Sequence, residues 1–307
     1  MEKNKLDGII LIDKEKDYTS NDICQIVKKN LHVKVGHIGT LDPNATGLIP
    51  LLIGEGTKLS KYLIEHDKEY IATIKLGIKT DTLDITGNVL EEKNENEISK
   101  YNEAEIISIL ESFKGEITQI PPIYSAIKVN GKKLYEYARE GKEDKVEIPE
   151  RKITIYDIEL LKYDSSLNEI EFKVSCSKGT YIRTLVNDIC EKLNEIGTLK
   201  DLRRTKVGYF DINDSIKIDE IKNCNNLDEI KVFSIKDITE NVLKFNKIII
   251  NNEKDLNKLL NGVIIDINQE NINSKEIEYV SIYYNDEFIG IGTFKHNKLK
   301  RDLIING

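Results

Sequence analysis

Between Gly36 and Gly47 the chain reads Gly-His-Ile-Gly-Thr-Leu-Asp-Pro-Asn-Ala-Thr-Gly, with three glycines, one proline, two threonines and a single carboxylate, Asp42. Neither a helix nor a strand takes that mixture, because glycine loses the most backbone entropy on ordering and Pro43 has no amide hydrogen to give. The segment has to be a loop, and a loop shaped by glycine and proline presents its one anion in a defined pose. An Asp-Pro pair alone is an ordinary turn start that accepts a backbone hydrogen bond. Whether Asp42 does chemistry therefore depends on what the rest of the chain brings to it.

The flanks of this loop are regular. Ile9 to Ile12 is a buried strand, and Thr19, Ser20 and Asn21 offer N-caps to a helix with Ile23, Ile26, Val27 and Leu31 on one face. Leu48 to Ile53 is a second apolar strand, while Lys68 to Gly77 alternates, with Ala72, Ile74 and Leu76 sharing a face with Tyr70 at its head. Past a polar stretch, Ile106, Ile107, Leu110 and Phe113 form the inward stripe of a helix. Asn130-Gly131 signals a reverse turn, and Arg151 to Lys162 and Glu169 to Cys176 read as paired strands. Thr180 is placed to cap a helix striped by Ile182, Leu185, Val186, Ile189 and Leu193, and a further strand runs near Val207 to Ile212. Polar residues 223–229 mark a weak boundary. From about residue 245 a strand-rich unit leads into a hairpin, Tyr279 to Tyr284 against Phe288 to Phe294. For 307 residues with 39% hydrophobic content, two domains are the default.

Charge and motif content remove several function classes. Lys and Arg total 45 against 53 Asp and Glu, a formal charge of −8, so polyanions are not bound through bulk charge and any nucleic-acid site is local. The four cysteines show no C-x-x-C spacing and no cluster with histidine, which points to reduced thiols. His32 and His37 stand five apart without a partner at ligand spacing, so no metal is expected. No phosphate-loop signature and no G-x-S-x-G elbow occurs. Gly290 and Gly292, inside an apolar strand, read as close backbone packing. The apolar run Ile9 to Ile12 is too short for a signal or membrane span, so the expected protein is soluble and cytoplasmic.

Three residues outlast these exclusions: Asp42 on its loop, Tyr70 at a strand head, and Arg183 in a first helical turn. A first-turn cation opposes the helix macrodipole by roughly a few tenths of a kcal/mol, so a nearby anion is expected. An aspartate paired with arginine stays ionised, which suits a nucleophile better than a general acid. Two basic stretches stand out from the acidic background: Lys128, Lys132, Lys133, Tyr135, Tyr137, Arg139 and Lys142, and then Arg203, Arg204 and Lys206. Such groups hold RNA phosphates while aromatic rings stack unpaired bases.

These segments, GHIGTLDPNATG, KEYIATIKLG, TDTLDITG at Thr80 to Gly87, YSAIKVNGKKLYEYAREG at Tyr124 to Gly141, SKGTYIRTLVNDI at Ser177 to Ile189 and LRRTKVGYF at Leu202 to Phe210, are ordered at family-like spacing. Through them nearly the whole chain resembles the TruB-type tRNA pseudouridine-55 synthases. The resemblance implies a cofactor-free isomerase acting on one uridine of the tRNA T-arm stem-loop, with Asp42 as catalytic aspartate, Arg183 as its partner and Tyr70 as active-site tyrosine. It also places His37 where the flipped base leaves, with Lys14 and Leu202 at further pocket positions. Lys132, Arg203 and Arg204, from the basic stretches, are the expected RNA contacts. The implied fold is α+β: a mixed, mainly antiparallel sheet with flanking helices over residues 1–240, then a small β-rich PUA-like domain over 245–307. A monomer needing no obligatory protein partner is expected. Lys14-Glu15-Lys16-Asp17 departs from the family's Lys-Pro-x-Gly, Ile38 from a threonine, and Gly197-Thr198-Leu199 from Gly-Ala-His.

In such a reaction Asp42 attacks C1′ or C6, or assists a glycal route, and sequence leaves the three open. Tyr70 would stack on the base and is a candidate to collect the C5 proton. A non-catalytic RNA-binding protein, and a synthase acting on another RNA, are the rival readings.

Overall fold

The computed structural model describes residues 6–63, 66–142, 144, 146–224, 229–268 and 276–305. Its main sheet runs in the order Ile216–Lys217, Gly8–Lys14, Thr46–Ile53, Gly197–Val207, Lys68–Leu76, Glu169–Cys176, Arg151–Asp164, Gly115–Gln119. Along this order the strands are antiparallel except where Gly8–Lys14 meets Ile216–Lys217 and Thr46–Ile53 meets Gly197–Val207. This is the α+β sheet with flanking helices that the sequence predicts.

The two halves of that sheet are covered differently, and their sequences follow. Ile10, Ile12, Ile49 and Leu51 pack under the helix Ser20–Leu31 through Ile23 and Val27, while Ile9, Leu11, Leu48 and Leu52 pack on the opposite face with Leu59 and Phe210. Strands buried on both faces read as uninterrupted apolar runs. In the other half Ala72, Ile74, Ile170 and Phe172 lie beneath the helices Glu103–Glu111 and Ile182–Lys192, and the strand Lys68–Leu76 alternates between buried and half-buried. One covered face gives period two.

A second sheet, ordered Asn246–Ile250, Glu278–Tyr284, Glu287–Lys295, Lys298–Ile304, Ile265–Asp266, closes over its own core of Ile248, Val280, Ile282, Phe294 and Leu299. The expected hairpin forms here, turning through Asn285 and Asp286 at positive φ. A Cβ on Gly290 would lie 2.1 Å from the Leu303 carbonyl oxygen, which accounts for a glycine in that strand. The unit is seated on the first sheet, since Ile291 and Leu303 complete the apolar cluster around Leu11, and Lys61 and Tyr62 both reach Asp302. Among the described residues no helix is long and apolar enough to cross a membrane.

Three expectations change. The helix Glu103–Glu111 ends before Phe113, and Ile107 is 41% exposed, so Ile106 and Leu110 carry its stripe. Thr180 does not cap the next helix: its hydroxyl donates to the Ser177 carbonyl at 2.9 Å, and Tyr181 occupies the N-cap. The strand expected near Val207 instead ends there, after running from Gly197, and Phe210–Asp211 turns back to pair with it. Of the polar boundary, residues 225–228 lie outside the described residues.

Candidate active site

Asp42 and Arg183, far apart in sequence, come together. The Arg183 Nη2 lies 3.2 Å from Asp42 Oδ2, with the arginine side chain 8% exposed and the aspartate 47%. The guanidinium donates to the carbonyls of Thr82 (3.1 Å) and Tyr124 (3.0 Å), and Asp84 Oδ2 stands 3.9 Å away. Two carboxylates and two carbonyls thus offset the unfavourable placement of a cation in a helical first turn. Because the carbonyls fix the guanidinium plane, Arg183 in turn fixes where the half-exposed carboxylate points.

The loop that presents Asp42 is pinned from behind by buried cations. Arg204, only 1% exposed, donates from Nε to the Leu48 carbonyl at 2.8 Å, from Nη2 to Gly39 at 3.0 Å and from Nη1 to Thr40 at 3.4 Å. Lys14, fully buried, gives its ammonium to the carbonyls of Glu15, Tyr18 and Pro43 at 2.9, 2.8 and 3.0 Å. Burial pushes that ammonium down to about 8, against the opposing charges of Asp42 and Asp17. The Leu41 amide donates to Ser20 Oγ at 2.9 Å. At Gly47, φ is +104° and a Cβ would sit 2.3 Å from the Arg204 carbonyl oxygen, so only glycine lets the loop close against its clamp.

Asp42, Tyr70, Tyr124, Tyr181, Arg183 and Leu202 help wall a cleft of about 450 Å3. That is within the range of roughly 300–1,000 Å3 usual for small-ligand sites. Tyr70 is 8% exposed at its wall. Burial above all pushes its phenol up to about 12, with Arg204 pulling the other way. At neutral pH the hydroxyl of the unliganded protein keeps its proton.

The remaining predicted residues scatter. His37 lies half-buried on the short strand Val35–His37, away from the cleft wall; burial, then the charge of Arg204, holds its imidazole below the usual value. Its Nδ1 is buried without a hydrogen-bond partner. Lys14 stands behind the loop rather than on the wall. Lys132 is outside the cleft, paired with Glu140 at 2.5 Å and 4.8 Å above the Tyr137 ring. Arg203 is bidentate on Asp13 at 3.0 and 2.9 Å, and that carboxyl, although burial opposes it, is held below its usual range by Arg203 and Lys217. Arg204 does line the cleft, but it is 1% exposed and its N–H groups are given to loop carbonyls, so the structure shows it as a clamp on the loop where an RNA contact was expected.

Residues that sequence reasoning passed over include Asp84, the backbone of Thr82 and Tyr124, and Lys68 on the cleft wall. Asp84 lies in the motif Thr80 to Gly87 that supports the family resemblance, but no role was assigned to it there. Gln119 had no local signal, yet its carboxamide brackets Tyr181 at the head of the Arg183 helix, accepting from that residue's amide at 3.1 Å and donating to its carbonyl at 3.3 Å. Among the described residues no cluster of His, Cys, Asp and Glu is placed to hold a metal ion.

Known proteins share this plan. Residues 25–182 match the TruB family pseudouridylate synthase N-terminal domain, and residues 183–260 match the tRNA pseudouridylate synthase B C-terminal domain. The tRNA pseudouridine synthase B of Caldanaerobacter subterraneus subsp. tengcongensis is 42% identical over 297 residues, 96% of this chain and 98% of that protein. The protein of the same name from Clostridium tetani is 43% identical over 289 residues, 94% and 95% of the two chains. Among solved structures, a Cbf5-Nop10-Gar1 complex contains a chain that superposes with a TM-score of 0.64 at 23% identity, covering 98% of this chain and 84% of that one, a likeness of fold. With a family model spanning half its length and near-full-length relatives above two-fifths identity, the chain belongs to the TruB family of pseudouridylate synthases.

Proposed function

We propose that this chain isomerises uridine to pseudouridine at position 55, in the T-loop of tRNA, using Asp42 and no cofactor. The observation that carries the reading is the Asp42–Arg183 pair at 3.2 Å on the wall of a nucleotide-sized cleft. The names of the relatives, tRNA pseudouridine synthase B, support the choice of tRNA. The reaction breaks the N1–C1′ bond, turns the uracil in the pocket and joins C5 to C1′, leaving the redox state unchanged.

A stacked base hides these atoms, so the nucleotide has to be flipped into the cleft. Asp42 then meets the sugar or the base edge, Arg183 keeps the carboxylate oriented, and Tyr70 and Leu202 hold the uracil between ring and aliphatic surface. His37, its imidazole held below the usual value by burial, fills the space the base leaves. Arg203, Lys132 and the basic lobe around Lys132 grip the RNA backbone. Residues 1–240 form the catalytic domain and 245–307 a PUA-like RNA-binding domain; the protein works in the cytoplasm as a monomer.

Tritium release from a T-arm stem-loop carrying 5-tritiated uridine tests the reading. Asp42→Asn is expected to lose roughly a thousandfold or more in rate while RNA affinity stays within several-fold. Full activity in that variant rejects the role of Asp42, and no release by the wild-type protein rejects the isomerase on this substrate.

A further inference from the structure

A second hollow, about 510 Å3, opens beside the cleft and shares the wall residues Lys68 and Gly179 with it. Three more cations, Arg151, Lys152 and Lys178, complete its lining, and none of its wall residues is acidic. With Lys68 they come from three separate segments, Lys68, Arg151-Lys152 and Lys178, so no long basic run in the sequence announces them. Glu116 pairs with Lys152 at 2.7 Å from an exposed position, and the nearby Asp67 accepts from the Tyr156 hydroxyl at 3.1 Å. Lys68 itself is half-buried, and its ammonium is pushed below the usual value by burial and then by the charges of Arg204 and Lys178, with Cys176 and Asp67 opposing.

On a chain whose formal charge is −8, four cations and no carboxylate line this one concavity, and although Lys152 already pairs with Glu116 and Lys68 donates to the His66 carbonyl, the lining as a whole favours an anion. RNA carries one negative charge per nucleotide, and a strand with one base in the cleft must leave it in both directions. The saddle between the two hollows is low: Gly179 has φ +81°, and a Cβ there would meet nothing within 4 Å.

We propose that this hollow is a subsite for the phosphodiester of a nucleotide adjoining the uridine at Asp42, recognised by charge and not by base. The inference rests on the isomerase reading and adds a site that the basic stretches of the sequence do not contain.

Arg151→Ala combined with Lys178→Ala, both at exposed positions outside the catalytic cleft, tests it. With a T-arm stem-loop the double variant should raise KM about tenfold, leave kcat within twofold, and flatten the dependence of log KM on log salt by about 0.7 for one phosphate. A Lys28→Ala, Lys29→Ala control on the far helix should change none of these. A neutral methylphosphonate at one linkage beside the target should cost the wild type the same factor and the double variant nothing further. An unchanged KM and salt slope, or losses that add at every linkage, overturn the proposal. If the wild type converts no uridine the isomerase reading fails separately, and the same cycle of protein and linkage changes, read as Kd by fluorescence anisotropy, still decides the subsite.

Discussion

The loop bearing Asp42 and the lobe from Tyr124 to Lys142 wall the same cleft, yet different forces hold them. Behind the loop, Arg204 and Lys14 spend buried charge on backbone carbonyls of Gly39, Thr40, Leu48 and Pro43. Hydrogen bonds from charged donors are worth about 1.5–3 kcal/mol each, and leaving their buried partners unpaired costs as much again. In the lobe, Lys133 and Arg139 each lie 5.2 Å from the Tyr135 ring and Lys132 4.8 Å from that of Tyr137. Such contacts on half-buried rings contribute about 0.5–2 kcal/mol each, less than the clamp behind the loop. Under the proposed function, the carboxylate that meets one atom sits on the more firmly held wall, and the side chains that adapt to an RNA surface sit on the other.

Substitution can break this contrast. Arg204→Leu, which orphans three carbonyls, should lower the unfolding free energy by about 3–5 kcal/mol in urea titrations and abolish activity with it. A variant of near wild-type stability would show that the loop does not need its clamp. Arg183→Lys keeps the charge but cannot span the Thr82 and Tyr124 carbonyls while facing Asp42. We expect kcat to fall roughly a hundredfold with KM within a few-fold, and equal kcat would mean that charge alone suffices.

Lys14 sharpens the comparison through pH. Its folded-state value of about 8 lies below the ordinary 10.5, so between those limits the unfolded chain binds more protons than the native one. Stability attributable to Lys14 is therefore full above about 10.5 and is lost as pH falls through about 8. Activity should move the other way, declining above pH 8 as the ammonium loses a donor to the Glu15, Tyr18 and Pro43 carbonyls. Urea midpoints of wild type minus Lys14→Met, measured from pH 7 to 10.5, give the first trend, and single-turnover rates give the second. The smallest effect belongs to the lobe: Lys132→Ala should raise KM about two- to fivefold, with kcat and the unfolding midpoint unchanged. A large fall in kcat there would mean that the lobe is part of the more firmly held wall.

How far the sequence was legible depended on the kind of signal. Asp42 stood out as the one anion of a shaped loop and Arg183 as a cation at odds with its helical first turn, while Tyr70 took its role from the family motif, and the fold brings all three to one cleft. Ile107 was assigned to the wrong face of its helix and Thr180 lies one residue before the N-cap, since an extra apolar residue beside a stripe or a hydroxyl near a helix start has several acceptable neighbours. The strand Gly197–Val207 was missed for a firmer reason. Register shifts at Leu199/Asp201 and Arg204/Lys206 interrupt its period of two, and a buried arginine occupies a position where apolar side chains are expected. Arg203 and Arg204 look alike in sequence, yet neighbours on a strand face opposite ways. One meets Asp13 and the other enters the core.

By itself the sequence determined the alternation of strands and helices, the loop at Gly36 to Gly47 and the family, because periodicity, backbone-permissive residues and ordered motifs are local properties of the chain. Tertiary structure alone decided that Arg183 rests on Thr82 and Tyr124, that Arg204 gives its N–H groups to loop carbonyls, and that Lys68, Arg151, Lys152 and Lys178 share a hollow. The physical reason is that the fate of a charge depends on which carbonyls, carboxylates or open space stand within a few ångströms of it, and sheet order, not sequence distance, sets those neighbours.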